Sequence, residues 1–240
     1  MRLERYVRQL SIPEIGESGQ KKLLASSALV VGCGGLGSVL LYCLCGMGVG
    51  RIGFCDGDVV SLSNLNRQFL HAPRDIGRLK TESAFEKLSA FAPELTLEPM
   101  PFPLTEDNAH SIVSRYDVVL LAADTLDARL TANRACVDSG IPLVDGGVSG
   151  LNGTLLTVRP HKTPCLFCVY GGIPAPKAPV SSFAPIVSAV SALEAQAAAN
   201  VLLGLPNPSD GTMLLFGGAS CTLEPLSLKR RPECPVCGKA

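Results

Sequence analysis

The sequence predicts an α/β fold: a doubly wound, mainly parallel sheet with an N-terminal helical arm and a C-terminal antiparallel extension. Three observations carry that reading. An apolar run at residues 28–31 feeds a glycine turn and then a long helix-compatible stretch. Two further apolar runs, residues 52–55 and 117–124, end at the carboxylates Asp56 and Asp124, where strands of a parallel sheet meet their ligands. Beyond residue 150 the pattern loosens into alternating strands accompanied by two Cys-x-x-Cys pairs.

In chain order, residues 1–25 set Leu3, Tyr6, Val7 and Leu10 at helical spacing with Arg2, Arg5 and Arg8 between them, which predicts an amphipathic arm with a basic, solvated face. Pro13 and Gly16 mark a turn, and residues 21–26 lead into the first strand. Residues 26–150 read as the nucleotide-binding core. Its loop at 57–73 precedes a helix that starts near Gly77 or Arg78 and stops before Pro93. Residues 95–103 carry Pro99, Pro101 and Pro103 and read as an edge strand, since proline cannot donate into a sheet interior. Helices follow at 106–115 and 126–139, then a strand at 141–144 that Gly146-Gly147 should end. Residues 151–240 read as the metal-binding part of the same single domain. They comprise an antiparallel strand at 151–158, a crossing loop at 171–182, an Ala-rich helix at 183–203 with Pro185 in its first turn, and two short strands within 212–228.

The turn Gly32-Cys33-Gly34-Gly35-Leu36-Gly37 is a dinucleotide-type fingerprint in its required context, strand before and helix after. Gly32 permits the tight turn, Gly34 lets backbone approach a phosphate, and Gly37 lets helix and strand pack closely. Free N–H groups and the helix dipole then favour an anion. Asp56, nineteen residues after Gly37, is placed for ribose hydroxyls. The alternative is a purely structural turn. The stretch beyond Asp56 favours a triphosphate: Ser63-Asn64-Leu65-Asn66-Arg67-Gln68, then Arg74, Arg78 and Lys80, are polar and basic, and the Arg and Lys side chains neutralise phosphate charge. A nicotinamide-dependent oxidoreductase needs no such stretch.

Lys plus Arg and Asp plus Glu number 21 each, so net charge supplies no general attraction for nucleic acid or an anionic membrane. Residues 23–50 carry no formal charge, but seven glycines and the fingerprint make them a buried strand and helix rather than a membrane span. Glu4 and Glu14 interrupt any secretory signal, so a cytoplasmic location is expected. Ten cysteines then point to thiols or metal rather than disulfides. Cys33, Cys43, Cys45, Cys55, Cys136 and Cys221 are scattered and read mostly as small buried hydrophobes. Cys165-x-x-Cys168 and Cys234-x-x-Cys237 instead form two knuckles that together complete a tetrahedral Zn²⁺ site, tying the tail to the body. Four thiolates leave no open position, so that site is structural. A thioredoxin-like redox pair is the competing reading. His71, His110 and His161 are the only histidines and make no histidine-based site.

These features, with RYVRQ, SNLNRQ and IGRLK between them, resemble the ThiF/MoeB/HesA adenylyltransferases, bacterial relatives of ubiquitin-activating enzymes, over nearly the whole chain. The resemblance implies a Rossmann-like homodimer that uses ATP and Mg²⁺ to adenylate the C-terminal glycine of a small ubiquitin-like sulfur carrier ending in Gly-Gly, with zinc on the paired cysteines. It implies that Gly35 lies in the phosphate loop, that Asp56 holds the ribose and that residues 151–240 bind the carrier. It further implies that Ser63, Asn64, Arg67 and Lys80 grip ATP phosphates, that Asp124 places Mg²⁺, and that Arg8 reaches into the partner subunit's site. Two departures stand out. The family's Asp-Asn is Asp124-Thr125 here, and residues 171–182 lack the cysteine with which several members form a covalent carrier adduct. The reaction should therefore stop at the acyl-adenylate, with sulfur delivered by another protein. Adenylation of a peptide or a tRNA base by the same fold, an NAD-dependent oxidoreductase, and a non-catalytic scaffold are the competing readings of the same residues.

Overall fold

The computed structural model describes residues 3–173 and 181–238. Eight strands form one sheet: β1 (Ser27–Val31), β2 (Arg51–Cys55), β3 (Thr96–Met100), β4 (Val118–Leu121), β5 (Leu143–Ser149), β6 (Asn152–Val158), β7 (Thr212–Gly217) and β8 (Thr222–Ser227). Their order is β3-β2-β1-β4-β5-β6-β7-β8, parallel from β3 to β5 and antiparallel from β5 to β8. The expected mixed sheet, with proline-bearing β3 on its edge, is what forms. β1 is buried along its whole length, so a continuous run of small and β-branched residues suits it better than alternation. From β1 the chain winds outward to β2 and β3, then crosses back to β4 on β1's other side. The crevice between the carboxyl ends of β1 and β4 is thus the topological switch point, where such sheets bind ligands.

The helices are α1 (Val7–Leu10), α2 (Gly16–Ala25), α3 (Gly35–Met47), α4 (Lys80–Phe91), α5 (Glu106–Val113), α6 (Leu126–Ser139), α7 (Leu166–Tyr170) and α8 (Ala184–Leu203). α3 and α8 pack together on one face of the sheet with α4 beside them, and α5 and α6 cover the other face. In α3, Leu36, Leu40 and Leu44 recur every four residues and are buried with Leu41, each such side chain contributing about 2 kcal/mol. Gly48, left-handed at φ +81°, ends the helix. The uncharged stretch at 23–50 is therefore core. α8 is long and apolar enough to span a membrane, yet 56% of its most apolar window lies buried in this fold.

Several expectations need correction. Gly16 begins α2 rather than a turn, and Lys21 lies inside that helix. In the arm Tyr6 is buried but Val7 is 60% exposed, so the apolar stripe does not all face inward. The strand expected to stop at Gly146-Gly147 runs through both glycines to Ser149. They sit there because β-carbons would meet Glu194 Oε2 at 2.4 Å and Thr154 Oγ1 at 2.6 Å. Glycine marks close packing there, not a strand end. The short helix α7 was not anticipated. Of the scattered cysteines, Cys33, Cys45, Cys55 and Cys136 are buried, Cys43 is half-buried and Cys221 is exposed. Most of the expected crossing loop, residues 174–180, lies outside the described residues.

Candidate active site

The turn after β1 is built by steric exclusion. Gly32 takes φ +107°, and a β-carbon there would lie 2.6 Å from the Ala122 carbonyl oxygen. One at Gly37 would lie 2.1 Å from the Gly32 carbonyl oxygen, so α3 could not approach β1 as it does. Gly34 is the N-cap of α3 and brings no capping side chain, and the first turn holds no acid. The leading N–H groups of α3 are therefore available to an anion. Arg67 packs on this turn: its Cγ is 3.6 Å from the β-carbon position of Gly35. Gln68 lies over Gly34, is 4% exposed, and its Oε1 finds no hydrogen-bond partner. An orphaned buried oxygen beside open glycine backbone fits a bound polar group at this point.

Asp56, one residue beyond β2, accepts the Cys33 N–H at Oδ2 (2.8 Å) and the Asp58 N–H at Oδ1 (2.8 Å). Lys80, at the start of α4 and only 8% exposed in its side chain, sets its ammonium 2.7 Å from Asp58 Oδ2 and 3.8 Å from Asp56 Oδ2. The acid read for ribose and the lysine read for phosphate thus meet on one loop. Ser63 and Asn64 lie in a 3₁₀ turn, Leu62–Asn64. Asn64 Oδ1 accepts the Ser61 N–H, while Arg67 donates to the Ser63 carbonyl (3.0 Å) and to Asn66 Oδ1 (2.9 Å). The basic stretch is thereby held in shape by its own polar residues.

Asp124 follows β4, whose pairing with β1 puts it across the switch point from the glycine turn. It is exposed, with no side-chain hydrogen bond or ion pair among the described residues. The neighbouring Thr125 is the N-cap of α6 and accepts the Ala128 N–H at 3.4 Å, so this departure from the Asp-Asn pattern is used structurally. Arg74 and Arg78, read from sequence with Lys80, are engaged elsewhere: Arg74 pairs with Glu86, and Arg78 pairs with Glu86 and buried Asp75. Arg8 is exposed on α1, and its neighbour Gln9 bonds the Met47 carbonyl at the far end of α3. The length of α3 puts roughly 18 Å between that end and the glycine turn. Arg8 is not brought to the turn of its own chain.

The four paired cysteines converge. Their sulfurs all lie within 4.8 Å of one another, with separations of 3.7 Å (Cys165 to Cys234), 3.4 Å (Cys168 to Cys237) and 4.0 Å (Cys165 to Cys168). A tetrahedron with zinc–sulfur bonds of about 2.3 Å has sulfurs about 3.8 Å apart. Burial pushes the Cys165 and Cys168 thiols upward in pKa, and the Arg231 N–H points at Cys168 Sγ. Sequence reasoning missed Asp58 and His71, and took in Gln68 only as one member of the polar stretch 63–68. The repeat of Asp two residues after Asp56 was a signal for the first; nothing local singles out the other two.

A doubly wound sheet carrying a glycine turn, an acid and a buried lysine at its switch point defines a nucleotide-binding protein of the Rossmann type. The profile of the ThiF family matches residues 6–236, and the chain belongs to that family. It is 37% identical to the sulfur carrier protein adenylyltransferase of Thermus thermophilus, over 98% of this chain and 91% of that protein. It is 34% identical to the SAMP-activating enzyme E1 of Haloferax volcanii, over 99% and 89%. In fold it matches E. coli MccB crystallised with MccA-N7isoASN, at TM-score 0.87 and 22% identity, over 100% of this chain and 75% of that one.

Proposed function

We propose that this protein, acting as a single adenylation domain, transfers AMP from ATP to the C-terminal glycine of a small ubiquitin-like sulfur carrier ending in Gly-Gly, releasing pyrophosphate. One observation carries the reading: the cationic stretch folds back onto the glycine turn, with Arg67 against Gly35 and Lys80 against Asp56. The carrier's carboxylate is already ionised at neutral pH and needs no general base. The difficulty is bringing one anion against another. Positioning and charge neutralisation therefore supply the catalysis. In this reading Gly32, Gly34, Gly35 and Gly37 cradle phosphate, Asp56 holds the ribose, and Ser63, Asn64, Arg67 and Lys80 contact the triphosphate. Exposed Asp124 would hold Mg²⁺, which favours one or two carboxylates plus phosphate oxygens and would shield phosphate charge.

Arg8 belongs in the same proposal only through a second copy of the chain, because its own turn is out of reach. Apolar side chains left exposed on the arm and the basic loop, Val7, Ile12, Leu62 and Phe69, support a homodimer. Zn²⁺ is the ion we assign to the four cysteines, on their sulfur spacing. With no cysteine in residues 171–182, the product is the acyl-adenylate and a separate protein supplies sulfur. A cytoplasmic location, with neither membrane nor nucleic acid as partner, accords with this chemistry. The test is ATP–pyrophosphate exchange. Exchange that depends on a carrier ending in Gly-Gly is expected. Exchange driven by a free peptide or a tRNA instead, or binding of nicotinamide dinucleotide without exchange, would overturn the assignment.

A further inference from the structure

His71 lies beneath the glycine turn at 7% exposure, in a chain of hydrogen bonds that the proposed nucleotide contacts do not account for. Its Nε2 is 3.0 Å from the Cys33 carbonyl oxygen and its Nδ1 is 2.9 Å from Ser83 Oγ. Lys87 Nζ is 2.7 Å from the same Ser83 Oγ and 2.6 Å from Asp75 Oδ2. With the ring neutral, as its burial favours, one assignment of protons satisfies every member. A carbonyl oxygen only accepts, so Nε2 carries the hydrogen. The neutral ring then accepts at Nδ1 from the Ser83 hydroxyl, and that oxygen accepts from the Lys87 ammonium. The ammonium is anchored by Asp75, which is fully buried and also accepts the Ala72 N–H.

The consequence falls on the turn. C=O and N–H of a trans peptide point in opposite directions. With the Cys33 carbonyl held inward by His71, the Gly34 N–H is held outward, and it has no partner among the described residues. Asp56 pins the other side of Cys33 through its N–H. Both peptide planes of Cys33 are thus locked. We propose that His71 is a positioning residue: through the Asp75–Lys87–Ser83 chain it fixes the Cys33–Gly34 peptide so that the Gly34 N–H is aimed at the nucleotide phosphates. This rests on the adenylation reading for the identity of the ligand, but not for the state of the turn.

The geometry also entails a pH dependence. Burial first, and then Lys87 and Lys80 nearby, lower the ring's pKa below 6.5; the Cys33 carbonyl and Asp75 oppose this, and the Cys33 thiol is itself buried and neutral. A group whose folded pKa is lowered supports the structure fully above its unfolded value and fails it as pH falls. That contribution to stability is therefore complete above 6.5 and is lost as pH falls through the lowered folded value; protonation at Nδ1 breaks the acceptance from Ser83 and leaves the Nε2–H bond to Cys33 in place.

The experiment uses the full chain with His71→Leu, His71→Gln and Ser83→Ala, reading three things: ATP affinity, hydrogen exchange at the Gly34 amide, and the ring tautomer by ¹⁵N NMR. Expected are an Nε2–H ring in the unaltered protein and about tenfold weaker ATP binding in His71→Leu, the scale of one internal hydrogen bond. Faster Gly34 exchange should accompany that loss. Glutamine, whose amide can donate to Cys33, should recover affinity to within about threefold and flatten the loss of stability on acidification. If His71→Leu does not fold, Ser83→Ala decides: the ring loses its support at Nδ1 and Gly34 exchange should rise, whereas unchanged exchange would overturn the proposal. An Nδ1–H ring in the unaltered protein, or leucine and glutamine variants that behave alike, would overturn the proposal. Should the unaltered protein bind no ATP, the adenylation reading fails, while Gly34 exchange and the tautomer still decide the role of His71.

Discussion

Arg67 and Asp124 approach the same crevice from different segments, one packed on Gly35 and one exposed beyond β4. Replacing either with alanine should lower carrier-dependent ATP–pyrophosphate exchange by roughly 10²–10³-fold, the scale of one group that stabilises transition-state charge. Near-normal exchange in both would refute their placement. Asp56→Ala should act differently, chiefly weakening nucleotide binding, because its carboxylate also holds Cys33 and Asp58 through their N–H groups. At this scale the sequence was informative about residues whose role is local. Gly32 and Gly37 sit in a turn that any longer side chain would break, and the Cys-x-x-Cys spacing itself makes a knuckle. His71 and Gln68 gave no such signal, because what distinguishes them is a neighbour distant in sequence: the Cys33 carbonyl for one, Gly34 for the other. The same holds for Arg74 and Arg78. Their sequence neighbours suggested phosphate, and their ion pairs with Glu86 lie on α4.

Among the elements, the contact between α8 and β5 shows how packing overrules local punctuation. Gly146 and Gly147 read as a strand end, yet β5 continues through them in its ladder with β6, and they are glycine because α8 and β6 leave no room for β-carbons there. Glu194 of α8 is fully buried against Gly146, and neither of its oxygens finds a hydrogen-bond partner. Burial, and then the nearby Asp145, push its carboxyl well above the usual carboxylate range. The sign of the effect is definite. A carboxyl with a raised folded pKa stabilises the fold fully below its unfolded value, and that contribution is lost as pH rises through the folded pKa. Glu194→Gln should therefore raise the denaturation midpoint at pH 7 and flatten the loss of stability toward alkaline pH. An unchanged pH profile would show that Glu194 is ionised in the fold. Gly146→Ala should cost about 2 kcal/mol by overpacking, seen as a lower midpoint with an unaltered slope.

For the molecule as a whole, two features concern distant parts of the chain. The cysteine cluster joins α7 to the tail, and Arg231 adds hydrogen bonds to the Phe167 and Gly171 carbonyls. If the cluster holds zinc, a chelator should remove one equivalent and lower the melting temperature by roughly 5–10 °C. Cys237→Ser should bind less than one equivalent from the outset. The second feature is the distance of Arg8 from its own glycine turn. In the proposed homodimer, mixing the Arg8→Ala and Asp124→Ala proteins should restore about a quarter of full exchange, since half the dimers would be mixed and each would hold one intact site. No recovery would place Arg8 outside the partner's site.

By itself the amino-acid order determined the doubly wound sheet, the glycine turn with its acid nineteen residues on, and the convergence of the cysteine pairs. Those are written in short-range periods and spacings, which a chain expresses wherever it folds. Only the tertiary structure decided which basic residues face the crevice, where β5 ends, and that a buried histidine lies behind the turn. Each depends on contacts between segments far apart in sequence, such as Gly35 with Arg67 and Cys33 with His71, and only close packing of the finished fold brings those pairs into register.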